Sequence, residues 1–170
     1  MTNAMKLTYN DVRELAPLLH GTVDASTTDG NGHMNVRHFY GAAVTAADTM
    51  LESVGVDDEY RGIRQMGAFA AEHHIRYFAE MNLGDRYSAH GLWLDRTSRA
   101  GHFMVFVLNA TTRTLACSLE LMVVNVSLTS RKPEPFPADV TARIDAGITE
   151  LSRLDWSASI SRSMRVRQSA

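Results

Sequence analysis

The sequence predicts an α+β domain in which one long helix lies on one curved antiparallel sheet of about five strands. Two observations carry that prediction. From Val36 to Val54, Phe39, Ala43, Ala46, Met50 and Val54 recur at helical spacing on a single face. From Gly67 onward the period changes from 3.6 to 2, and four extended segments follow at separations short enough for antiparallel neighbours. One long helix beside one sheet is a two-layer arrangement.

The elements are read in order. Asn10 to Leu19 is a short helix interrupted at Pro17, which lacks an N–H and clashes with a preceding turn. His20 to Ala25 is a first strand that delivers Asp29 from its far end. The Val36–Val54 helix is rich in small residues (Gly41, Ala42, Ala43, Ala46, Ala47), so a sheet can approach its axis closely, and Gly55 is placed to end it. Val56 to Met66 is a polar connection. Strands are expected over Phe69–Met81, Tyr87–Leu94, His102–Ala110 and Leu115–Leu128. In the first of these, alternation puts Ala70, Glu72, His74 and Arg76 on one side and Ala71, His73, Ile75 and Tyr77 on the other. Pro133, Pro135 and Pro137 break structure. Val140 to Leu154 is a terminal helix with Ala142, Ile144, Ile148 and Leu151 inward, and residues 157–170 form a mobile Ser/Arg-rich tail.

Composition narrows the function. The 170 residues suit a single domain, 1–170, with a core over about 18–137 and a helix and tail over 138–170. A net charge of -2 and a pI near 6.4 argue against bulk attraction to nucleic acid or an anionic membrane. The single cysteine, Cys117, excludes an internal disulfide and reads as a small buried hydrophobe. No signal-peptide pattern or membrane-spanning window is present, so a cytoplasmic protein is expected. The histidines are scattered, and His73 and His74 face opposite ways on a strand, so no metal and no cofactor is expected.

The stretch Asp29-Gly-Asn-Gly-His-Met-Asn35 carries the chemistry. Gly30 and Gly32 let the backbone turn tightly around Asn31. Asn35 is a good N-cap for a helix that starts at Val36. The first-turn N–H groups of that helix lack internal acceptors and, with the helix dipole, favour an oxyanion. A carboxylate on the same loop beside such a site is what acyl transfer needs. On these residues alone, an ordinary solvated turn with an ordinary cap is the simpler reading.

The loop, followed by an Ala-rich helix containing aromatics, resembles the Asp-x-x-Gly-His-x-Asn loop of hot-dog fold acyl-CoA thioesterases, the relatives of 4-hydroxybenzoyl-CoA thioesterase. The pieces Glu72-His-His74-Ile-Arg-Tyr77 and Glu80-Met-Asn-Leu-Gly84-Asp85 also look like that family, leaning toward members associated with carnitine and betaine breakdown. The resemblance spans about residues 18–137. It implies a coenzyme A thioester as substrate and Asp29 as the catalytic carboxylate, acting as nucleophile or general base. It implies oxyanion donors in the backbone N–H groups of Asn35 and Val36. His33 and Asn35 become positioning residues, with Gly32 shaping the substrate loop. It further implies a site at the boundary of a homodimer, or of a dimer of dimers (a homotetramer), which strand residues such as Glu72 and His74 of a second copy complete. A usual second Asn is Val36 here, which removes a side-chain contact and leaves a backbone N–H.

Two rival functions are weighed. A hydratase acting on enoyl-CoA uses an Asp-x-Asn-Pro-x-His loop, and here Asp29-x-Asn31-x-His33 is one residue shorter and lacks the Pro. The second rival is a non-catalytic acyl-CoA-binding module. If the acyl group is a quaternary ammonium, Tyr77, Trp93 and Phe103 are candidates for an aromatic cage.

Overall fold

The structure is a computed structural model that describes residues 7–158 and 164. Five strands form one antiparallel sheet in the order β1-β3-β4-β5-β2: β1 (Pro17–Thr22), β2 (Met66–Tyr77), β3 (Arg86–Arg96), β4 (Ala100–Asn109) and β5 (Thr114–Ser127). The long helix α2 (Val36–Ser53) lies across one face. Phe39, Ala43, Ala46, Ala47 and Met50 are buried there against Phe103, Val105, Leu119 and Leu121. Burial of side chains the size of Phe39 and Met50 contributes about 1.5–3 kcal/mol each. Gly55 follows α2 with φ +91°, a backbone conformation that an L side chain resists, and the helix stops.

Several expectations are revised. The N-terminal helix α1 is only Tyr9–Val12, closed by a reciprocal Thr8–Asp11 capping box. Pro17, expected to interrupt a longer helix, instead opens β1, which therefore begins earlier than His20. An edge strand tolerates Pro at its first position because no ladder N–H is needed there. The polar connection after α2 contains a short helix, α3 (Asp58–Gly62), capped by Asp57.

β2 starts at Met66 and ends at Tyr77, three to four residues earlier than the pattern suggested. A register shift between Ala70 and Glu72 marks a bulge at Ala71. Ala70 pairs with Val123, which faces α2, while Glu72 pairs with Met122 on the outer face. The simple alternation that put Ala70 with Glu72 is thus broken by one extra residue. His74 and Arg76 remain together on the outer face, opposite Glu120 and Ser118.

The helix α4 (Ala138–Leu151) packs along β3. Val140 and Ile144 are its buried residues; Ile148 is partly packed, Ala142 is exposed, and Leu151 joins the outer-face cluster. The expected inner face is therefore rotated toward Val140. Arg64 makes a bidentate pair with Asp139 at 2.8 Å for both bonds, tying the α3–β2 junction to the start of α4. Most of the Ser/Arg-rich tail expected to be mobile lies outside the described residues. Cys117 is buried against the α2 side, and burial pushes its thiol up to about 12, so it behaves as a small apolar residue.

Candidate active site

The loop before α2 is a miniature hairpin. The Gly32 N–H donates to the Asp29 carbonyl at 2.9 Å and the Asp29 N–H to the His33 carbonyl at 3.1 Å. Gly32 has φ +84°, which is why a glycine closes this turn. Thr28 bridges Met34, and the Asn35 N–H donates to the Thr27 carbonyl at 2.9 Å. A second anchor comes from the segment before β3. The Met34 N–H donates to the Met81 carbonyl at 2.8 Å, and His33 bridges Asn82.

This scaffold places Asp29 beside the start of α2. Its Oδ1 accepts the Asn31 N–H at 2.9 Å and its Oδ2 accepts the Asn35 side-chain amide at 3.0 Å. The Asn35 Oδ1 in turn accepts the Arg37 N–H at 3.1 Å, capping α2. One amide side chain therefore spans from the carboxylate to the helix terminus. The Asn31 N–H, reinforced by the Asn35 amide and by His33, holds the Asp29 carboxyl below the usual carboxylate range against an opposing effect of desolvation. Asp29 is half-exposed and keeps lone pairs open to solvent.

The oxyanion expectation divides in two. The Asn35 N–H is already committed to Thr27, so it is not a free donor. The Val36 N–H has no acceptor among the described residues and stands at the positive end of an 18-residue helix. His33 lies on the same loop, with its Nε2 3.7 Å from Glu80, a partner the sequence reading did not single out.

The loop residues Asp29, Gly32, His33, Asn35 and Val36 thus come together; Glu72 and His74 do not join them. Glu72 pairs with Met122 and His74 with Glu120, on the sheet face that α2 does not cover. Any part they take in catalysis requires a second subunit. The proposed aromatic cage does not form either. The rings of Trp93 and Phe103 meet at a tilt, with centroids 4.7 Å apart inside the core, whereas Tyr77 is exposed at the edge strand with its ring against Phe39. A pair missed by sequence reasoning lies near that edge: the Tyr40 hydroxyl is 3.0 Å from His73 Nδ1. Burial pushes the His73 imidazole pKa down, and its Nε2 is buried without a hydrogen-bond partner among the described residues. Residues 33 apart that meet only through folding give no local sequence signal.

Residues 23–144 match the family model described as the thioesterase-like superfamily. The chain belongs to the thioesterase-like superfamily. Among curated relatives of this thioesterase-like chain, the L-carnitine dehydrogenase/betainyl-CoA thioesterase of Rhizobium meliloti is 27% identical over 127 residues. That alignment covers 75% of the chain and 25% of the relative. The betainyl-CoA thioesterase of Pseudomonas aeruginosa is 27% identical over 119 residues, covering 69% of the chain and 74% of that protein. The chain thus spans about a quarter of the length of the bifunctional relative. Among solved structures, a Staphylococcus aureus protein in complex with CoA superposes with a TM-score of 0.79 at 19% identity, over 90% of this chain and 97% of that one. The 1,4-dihydroxy-2-naphthoyl-CoA thioesterase of Synechocystis gives a TM-score of 0.66 at 19% identity, over 75% and 93%. With the strand order above, these likenesses identify the fold of the thioesterase-like chain as the hot-dog fold. No helix among its described residues is long and apolar enough to cross a membrane.

Proposed function

We propose that the chain hydrolyses acyl-coenzyme A thioesters with Asp29 as the reacting carboxylate and the Val36 N–H as an oxyanion donor. The observation that carries this reading is the Asp29–Asn35 bond, which links an ionised carboxylate to the N-terminus of α2. An Asp29 oxygen adds to the thioester carbonyl carbon, and the carbonyl π electrons move onto its oxygen beside the Val36 N–H. Collapse breaks the C–S bond and expels the coenzyme A thiolate, which takes a proton from solvent. Water then cleaves the resulting anhydride and regenerates Asp29. A thiolate leaves readily, so no Ser-His-Asp triad is needed. The alternative use of Asp29, removal of a proton from water, suits a more basic carboxylate. The lowered pKa keeps Asp29 ionised, which both routes require. Label recovered in the Asp29 side chain after turnover in heavy-oxygen water would establish the anhydride route, with water attacking the Asp29 carbonyl carbon.

The curated relatives carry the words betainyl-CoA thioesterase, so a quaternary ammonium acyl-CoA heads the substrate panel. Acyl-CoAs are incubated with the protein and a thiol-detecting reagent. Release of free coenzyme A supports the proposal. Hydration of crotonyl-CoA without thiol release, or tight binding with neither reaction, overturns it.

Asn35→Ala separates positioning from chemistry. It removes the cap, at a cost of about 1 kcal/mol of stability, and one of the bonds that keeps Asp29 ionised. Activity is present where Asp29 is ionised and is lost as pH falls through its depressed pKa. The acid limb of the rate profile should therefore move to higher pH in the variant. An unmoved limb would show that Asp29 is not the group being titrated.

A homodimer completes the proposal. β2 is bonded on one side only, to β5, and Phe69 and Tyr77 are exposed along it. Light scattering should give a dimer or tetramer at micromolar concentration, and a monomer would remove the shared-site version of the mechanism.

A further inference from the structure

The helix α2 packs mainly over β1, β3, β4 and β5, which leaves a trough between it and the edge strand β2. The partners across that trough fix its direction. Phe39 meets Tyr77, Tyr40 meets His73, and Asp48, Leu51 and Glu52 share a cavity of about 270 Å³ with Ala68. As α2 advances, its neighbours on β2 therefore run backward from Tyr77 to Ala68. The Asp29 loop closes the Tyr77 end: His33 bridges Asn82, and its Nε2 lies 3.7 Å from Glu80, just beyond β2. The trough thus starts at the candidate active site and ends at the cavity.

Tyr40 bars the way between them. Its hydroxyl reaches across from α2 to His73 Nδ1 at 3.0 Å, with the two rings tilted and their centroids 5.7 Å apart. The His73 Nε2 is buried without a partner, so the Tyr40 bond is the one hydrogen bond the imidazole makes among the described residues. Breaking it leaves a second ring nitrogen unpaired, which favours the closed bar. Burial pushes the His73 pKa down, so the ring stays neutral and brings no charge into the trough. Tyr40 is exposed, as is Val36 one turn before it on the same helix face. The bar therefore stands about 6 Å along the helix axis from the Val36 N–H.

We propose that Tyr40, positioned by His73, is the specificity-determining residue of the Asp29 site, and that it limits the acyl group to about four carbons, the length that one helical turn accommodates. With the carbonyl oxygen at the Val36 N–H, the acyl chain runs along α2 and ends against the phenol. A longer chain must break the Tyr40–His73 bond to reach the cavity beyond. The inference rests on the hydrolytic reading of the Asp29 loop.

The test compares butyryl-CoA with octanoyl-CoA. Wild type should hydrolyse octanoyl-CoA with a kcat/KM at least about tenfold lower, and Tyr40→Ala should bring the two within about threefold of each other. Tyr40→Phe keeps the ring and loses the bond, so the ratio should move less. His73→Ala should shift the ratio in the direction of Tyr40→Ala. His73→Asn, whose amide takes the place of Nδ1, should restore most of the discrimination, a rescue that lost packing alone would not give. The non-hydrolysable thioethers S-butyl-CoA and S-octyl-CoA, titrated calorimetrically, give the same ratio without turnover. If no acyl-CoA is hydrolysed, the hydrolytic reading fails, and these dissociation constants still decide the length limit. Equal use of both chain lengths by wild type overturns the proposal, as does a ratio unchanged in Tyr40→Ala. Loss of a subunit in Tyr40→Ala alongside the shift would place Tyr40 at a subunit contact and also overturns it.

Discussion

Asp29→Asn should lower the rate of coenzyme A release by at least about 100-fold while KM stays within about threefold. The substitution keeps an oxygen for the Asn31 N–H, so the turn survives. It replaces the other oxygen with an amide that faces the Asn35 amide, a donor opposite a donor. That mismatch costs about 1 kcal/mol, so the melting temperature should fall by only a few degrees. The change removes the nucleophilic lone pairs and the negative charge from the one carboxylate joined to the α2 terminus. A loss in rate without a comparable loss in stability is the signature of chemistry. A decrease smaller than about tenfold would mean that another group attacks the thioester, and the assignment of Asp29 would fail. Circular dichroism melts beside the thiol-release assay supply both numbers.

Asn125→Ala should do the reverse, with a large loss of stability and little direct effect on the reaction. Asn125 is fully buried. Its Oδ1 accepts the Tyr60 hydroxyl at 2.7 Å, and its amide donates to the carbonyls of Glu134 and Pro135 at 3.0 and 3.1 Å. One side chain thus fastens α3, β5 and the extended run before α4. Truncation leaves a buried hydroxyl and two carbonyls without their partner. At about 1–3 kcal/mol for each unsatisfied buried group, partly relieved by water, the loss is about 3–5 kcal/mol. For a chain of this size that is a fall of about 10 °C in Tm. The site loop makes no contact with Asn125 through these bonds, so kcat measured well below the melt should stay within about twofold. A Tm within about 2 °C of wild type would show that Asn125 does not hold these elements together.

The two residues differ in how visible they are from sequence. Asp29 and Asn35 lie six apart on one turn, and the reason they meet is local. Glycines permit the turn, and an Asn before a helical repeat caps the helix. Asn125 sits in an apolar run and looks like an interruption of a strand. Its three partners come from positions 60, 134 and 135, and only folding brings them to it. The bulge at Ala71 was hidden for a related reason. Strand alternation is a regular code, and the bulge appears only when the register with β5 is known. The aromatic cage failed because aromatic residues mark burial as readily as binding, and Trp93 and Phe103 are spent on the core.

By itself the sequence determined the long helix, the change of period that makes a single antiparallel sheet, and the turn that sets a carboxylate beside a helix cap. These follow from interactions within a few residues, where spacing and residue type suffice. Only the tertiary structure decided that the Asn35 N–H is already spent on Thr27, that His74 lies on the face away from α2, and that Tyr40 meets His73. Those facts depend on which strands pair and in what register. Pairing between distant segments is settled by burying the whole core at once, and no short stretch of the chain encodes it.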